Sequence, residues 1–224
     1  ACFDLYRQAV MINKKCVVPP CADDSKEELF MKGNSNVSTR QLVTAAVLTA
    51  VVVVLQFMGA FIKFGPFSIS LVLIPIVVGA ALCGVGCGAW LGFVFGAVVL
   101  ASGDAGLFLG INPLGTVVTV LVKGALCGLA AGIVFRYVKR FNVYAAVVAA
   151  AVVCPVVNTG VFLIGCKLFF MSAVRGWAQA AGFGADSAKY MIFSLVGVNF
   201  LVEMGINVVL SPAVTRILKI RKRN

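Results

Sequence analysis

"FIKFGPFSISLVLIPIVVGAALCGVGCGAWLGFVFG", residues 61–96, carries a single charge, Lys63. The stretch is too apolar for a surface in water and too rich in glycine for an ordinary core helix. Its centre, "CGVGCGAW", reads as a tight turn between two apolar helices. "GVGCGA" has the look of a dinucleotide loop, but no strand of a βαβ unit precedes it and no acidic residue follows at the required spacing. The stretch is therefore read as a hairpin of closely packed helices in lipid.

Composition supports lipid as the solvent. The chain has 224 residues, 61% hydrophobic and 12% charged, with a mean hydropathy of +1.04. A soluble domain carries roughly 25% charged residues. A helix needs about 20 apolar residues to cross the hydrocarbon. On that measure the spans are expected at residues 42–61, 68–82, 84–101, 113–135, 143–170 and 188–210. The second is short and holds Pro75. Gly88, Gly92 and Gly96 recur every four residues on the third span, and Gly124, Gly128 and Gly132 do so on the fourth. Such stripes let helix backbones approach closely in lipid.

Loop charges orient this all-α, six-helix bundle. Arg40, Arg136, Lys139, Arg140, Arg216, Lys219, Arg221, Lys222 and Arg223 fall on one side of it. Lys63, Asp104, Arg175, Asp186 and Lys189 fall on the other. The excess of basic residues predicts both termini in the cytoplasm of a multi-pass protein of the cell membrane. The net charge of +11 is mostly this topology signal, helped by anionic headgroups. "RILKIRKRN" at residues 216–224 is read as an anchor beside a span, so no nucleic-acid partner is expected.

Residues 1–37 differ in character, being mixed, charged and Pro-containing. They are read as a disordered extension or as sequence upstream of a natural start at Met31, with residues 38–224 forming the membrane domain. The eight cysteines show no pair of zinc-binding pairs, and there is no histidine, so no metal site is expected. The absence of a nucleophile–base cluster argues against an enzyme.

Polar groups at membrane depth are costly and point to function. Lys123 falls about 15 Å into its span at 1.5 Å per residue. Asn158 follows Pro155 near the middle of the fifth span. Asn199, Glu203 and Asn207 repeat every four residues and form one stripe. Lys123, Asn158 and Asn199 are expected to line a ligand cavity, with Glu203 balancing charge. The structural alternative is that Lys123 and Glu203 neutralise each other between helices. Gln56 and Asn207 suit hydrogen bonding within the bundle. The loops "FIKFGPF", "ASGDAGLFLGINPLG" and "MSAVRGWAQAAGFGADSAKY" can cap a cavity open to the outside, with Phe64, Phe67, Phe108, Trp177 and Phe183 stacking on a ring. Interfacial anchoring is the other use of such aromatics.

With these features assembled, residues 38–223 resemble the substrate-binding S component of an energy-coupling factor (ECF) vitamin transporter of the riboflavin or pantothenate type. The resemblance is carried by "TRQLVTAAVLTAVV", with Ala46-x-x-x-Ala50, and by "SISLVLIPIVVGAALCGVGCGAWLGFVFG". It implies a bundle that captures a water-soluble vitamin from outside. It implies as partners a transmembrane coupling subunit, docked on Ala46 and Ala50, and two ATPase subunits. The ligand would lie near the outer face against the fourth to sixth spans. Individual binding residues do not transfer. The chain has no GxxxxGK[ST] loop, so no cofactor is expected in it and ATP would be used by the partners. A self-contained secondary transporter or channel is the alternative, with Lys123 and Glu203 in proton coupling, although the halves show no inverted repeat.

Overall fold

The computed structural model describes residues 39–60, 63–64, 67–68, 71–182 and 186–223, without the side chains of 63–64, 67–68, 193–195, 198 and 219–223. The expected extension at residues 1–37 lies outside the described residues, as do the side chains of Phe64, Phe67 and Phe183.

Long helices dominate because the chain is apolar enough to leave its backbone no other source of hydrogen bonds in lipid. Four of them are long and apolar enough to cross a membrane. They are α1 (Thr39–Ala60), α5 (Pro113–Val138), α6 (Val143–Phe169) and the apolar part, Asn199–Leu218, of α9 (Val198–Arg223). Two shorter apolar helices, α2 (Leu73–Cys83) and α3 (Val85–Ala101), occupy the expected second and third spans. The connections hold short helices: α4 (Gly106–Leu109), α7 (Met171–Ala180) and α8 (Ser187–Lys189).

Three expectations need correction. Ser68, Leu71 and Val72, expected in the second span, lie outside its helix. Phe67 and Ser68 form a short strand, β2, paired antiparallel with Lys63–Phe64, β1, a local exception in an otherwise helical fold. The Gly65–Pro66 pair favours a turn over a helix at that place. The last span does not run as one α-helix from residue 188. A π-helical stretch, Tyr190–Gly197, precedes α9. Nor does that span stop at Leu210, because α9 continues through Pro212. Pro212 has no N–H to give the Val208 carbonyl, and the Ser211 hydroxyl donates to that carbonyl at 2.7 Å instead.

Local chemistry sets the helix ends. Asn112 caps α5, its Oδ1 accepting from Gly115 N at 3.0 Å, with Pro113 in the first helical position. Asn142 caps α6 by accepting from Tyr144 N at 2.8 Å. Between α2 and α3 the chain reverses at Gly84, where φ is 97°, a value that side-chain-bearing residues rarely adopt. The two helices then pack on each other, Gly88 against Ala80.

The glycine stripes of α3 and α5 face one another. A Cβ on Gly92 would fall on the carbonyl of Gly124, and one on Gly128 on the carbonyl of Gly88. Gly96 lies against Val120 and Gly132 against Val85, so the pair runs antiparallel with backbones in contact. The next pair, α5 and α6, is also antiparallel, with Gly115 against Phe169 and Thr119 over Gly165. The core between these helices holds Leu73, Ile76, Leu91, Phe95, Val120, Cys127, Val147 and Cys154. The outer surface is apolar too: Val47, Trp90, Leu114, Ile164 and Val209 are exposed. An exposed apolar surface of this kind suits lipid.

Candidate ligand cavity

The antiparallel order gives the bundle two unlike ends. At one end the Cys83 thiol meets the Gln41 carbonyl at 3.6 Å, and Val85 meets Gly132. The start of α1, the Gly84 turn and the end of α5 therefore lie together, near Arg40, Arg136, Lys139 and Arg140. At the other end Gln56, late in α1, donates from Nε2 to Asp104 Oδ2 at 2.7 Å. Here lie the connections that hold α4 and α7.

A small cavity of about 80 Å³ opens at this second end. Its wall takes Gln56 from α1, Phe95 and Val99 from α3, Thr116, Thr119, Val120 and Lys123 from α5, and Asn158, Thr159 and Phe162 from α6. Asp104, Phe108 and Phe170 come from the connections, Val196 from the π-helical stretch, and Asn199 and Glu203 from α9.

Helical spacing explains the α5 contribution. Thr116, Thr119, Val120 and Lys123 recur at three or four residues and share a face. Lys123 Nζ lies over the rings of Phe162 at 5.2 Å and Phe95 at 5.9 Å, an arrangement in which the ring faces attract the cation. Asn199 Nδ2 donates to Glu203 Oε1 at 3.3 Å. Asn207 Nδ2 donates to the Glu203 carbonyl at 2.8 Å, one turn further from the cavity. Among the described residues, three buried polar atoms have no hydrogen-bond partner: Thr119 Oγ1, Asn158 Oδ1 and Asn199 Oδ1. All three belong to residues of this wall. Buried polar atoms in proteins are nearly always partnered, so their convergence marks a place suited to a polar ligand.

Of the residues singled out from sequence, Lys123, Asn158, Asn199 and Glu203 come together in this wall. Trp177 does not line it. Its ring packs edge-on to Phe108 at 5.7 Å, and Phe108 faces the cavity. Phe108 also meets Phe162 at 5.5 Å and Phe170 at 5.1 Å. The Phe64 backbone pairs with Phe67 in the β-ladder, and its side chain is among those not described. Gln56, read as hydrogen-bonding glue, is both glue and lining. Thr116, Thr119, Thr159, Asp104, Phe95, Phe162 and Phe170 escaped the sequence reading as lining residues. For Thr119 and Phe162 a signal existed, since each lies four residues from a residue singled out, Lys123 and Asn158 respectively, on the same helix. Ala46 and Ala50 are remote from the cavity and exposed on α1, on a face shared with Val43, Val47 and Val54.

Apolar helices of membrane-spanning length enclose a small cavity with several polar groups in its wall. Residues 40–215 match the family model of the ECF transporter, substrate-specific component. The chain belongs to that family, which is a family of transporter components and not of enzymes. No curated protein and no solved structure matches the chain.

Proposed function

We propose that the protein is the vitamin-capturing subunit of an ATP-driven importer in the cell membrane. It binds a water-soluble vitamin, riboflavin-like or pantothenate-like, from the outside. The observation that carries this reading is the convergence of Lys123, Thr119, Asn158 and Asn199 on one cavity, at the bundle end away from Arg40, Arg136, Lys139 and Arg140. With the basic end inside, the cavity opens outward. In this reading α2 and α3 complete six spans and both termini are cytoplasmic. Residues 38–224 form the membrane domain, residues 1–37 are an extension, and residues 1–31 of it are dispensable for capture.

Energy comes from partners: a transmembrane coupling subunit and two ATPases that use ATP. The exposed Ala46 and Ala50 leave a shallow groove on α1 for a partner helix. The test is to purify the protein, denature it and identify the co-released small molecule by mass spectrometry. A retained vitamin is expected. A preparation that releases none, yet moves solute alone in liposomes, would make the chain a secondary transporter.

A further inference from the structure

The cavity owes two of its polar residues to a change of helical register, an inference that rests on the ligand-capturing reading of that cavity. Asn199 and Glu203 reach the wall from α9, just after the π-helical stretch Tyr190–Gly197. A π-turn closes its hydrogen bonds five residues apart instead of four. It takes up one residue more than an α-turn, so the residues after it sit one step further back around the axis, about 100° at 3.6 residues per turn. Were the stretch α-helical, the places of Asn199 and Glu203 would pass to residues 198 and 202, both valine. The wall would lose an amide and a carboxylate.

The stretch joins two segments whose faces are set separately. Before it, Ser187 and Met191 are buried, and Met191 packs with Phe108, Cys166 and Phe170 at the cavity end of the bundle. After it, Glu203, Asn207, Ser211 and Thr215 are buried along α9, which keeps their polar groups out of lipid, where they are costly. Asn207, Ser211 and Thr215 donate to carbonyls of α9 itself, so these three bonds turn with the helix and do not fix its rotation. Packing and the register imposed by the stretch fix it instead. Gly197 makes that register possible. A Cβ there would lie 2.6 Å from the carbonyl oxygen of Ile192, five residues back, well inside the roughly 3.5–4.0 Å of favourable non-bonded contact. Gly205, also on α9, has open space at the same position.

We infer that Gly197 is a positioning residue of the binding site: it admits the π-turn that sets Asn199 and Glu203 in the wall shared with Lys123 and Asn158. It acts through those two side chains, since Gly197 is not itself in the wall.

The experiment compares four full-length chains in detergent: wild type, Gly205→Ala, Gly197→Ala, and Gly197→Ala with Ser194 deleted. The deletion removes the residue that the π-turn takes up, so an α-turn then gives the wild-type register and accepts alanine. Each chain is measured by thermal unfolding without ligand and by calorimetric titration with riboflavin and with pantothenate. Alanine is the better helix former, so Gly205→Ala should unfold no lower than wild type and bind alike. Gly197→Ala should unfold at a lower temperature, as the polar stripe of α9 leaves its packed face. It should bind the recognised vitamin at least about tenfold more weakly, one hydrogen bond's worth. Deleting Ser194 from it should restore both, which a glycine needed only for local packing would not predict. A Gly197→Ala chain that matches wild type overturns the inference, and so does a deletion that restores neither property. If Gly197→Ala does not fold, the deletion chain decides alone: folded with wild-type affinity it sustains the inference, unfolded it overturns it. If wild type binds neither vitamin, the order of unfolding temperatures still decides the register, while the molecule released on denaturation decides the capture reading.

Discussion

Lys123 concentrates the tension between stability and function. A lysine at the centre of a membrane helix costs about 2.5–3.5 kcal/mol on insertion scales. The rings of Phe95 and Phe162 offset part of this, at about 0.5–2 kcal/mol for each cation–π contact. Lys123→Met should therefore raise the unfolding temperature of the ligand-free protein and weaken ligand binding about tenfold, one lost hydrogen bond's worth. Thermal unfolding and calorimetry on one preparation check both. If stability changes and affinity does not, Lys123 is a structural partner of the carboxylates and no ligand contact.

Among the elements, the α3–α5 pair has the least tolerance. Its helices meet at Gly88, Gly92, Gly124 and Gly128 with backbone against backbone, so a side chain must push the helices apart. Overpacking costs typically about 1–3 kcal/mol where neighbours can move, and here the neighbour is a main chain. Gly92→Leu should lower stability by at least that amount and distort the cavity, since Phe95 and Val99 lie on the same helix. Unfolding in detergent reads the first effect and ligand titration the second. The face of α1 with Ala46 and Ala50 makes the opposite prediction. These residues are exposed, so Ala46→Trp fills no internal space. It should leave ligand affinity near wild type, abolish ATP-dependent uptake and weaken co-purification of the coupling subunit. Loss of binding and uptake together would mean that the alanines pack within the bundle.

At the scale of the molecule, the family match begins at residue 40, and among the described residues the cavity's lining begins at Gln56. Deleting residues 1–31 should leave ligand affinity unchanged in detergent. A large loss in a well-folded deletion would show that the extension belongs to the site. The cavity lies at one end of the bundle, Ala46 and Ala50 lie on an exposed face nearer the other, and α1 links them through Gln56 and its bond to Asp104.

The apolar runs, the basic end and the glycine stripes determined a membrane bundle from sequence alone, because lipid demands long apolar helices and close backbone packing demands small residues. Lys123, Asn158, Asn199 and Glu203 were legible for the same reason, since polar groups at that depth are conspicuous. Only the tertiary structure decided which faces meet. In lipid the outer face of a helix is as apolar as its packed face, so hydrophobic periodicity does not say which side turns inward. Thr119 therefore looked like any threonine able to bond its own helix, and Asp104 like a loop charge. Trp177 looked like a cavity wall, but folding set Phe108 between it and the space. The convergence of three unpartnered oxygens arises from α5, α6 and α9 packing together, and no single segment of the chain contains it.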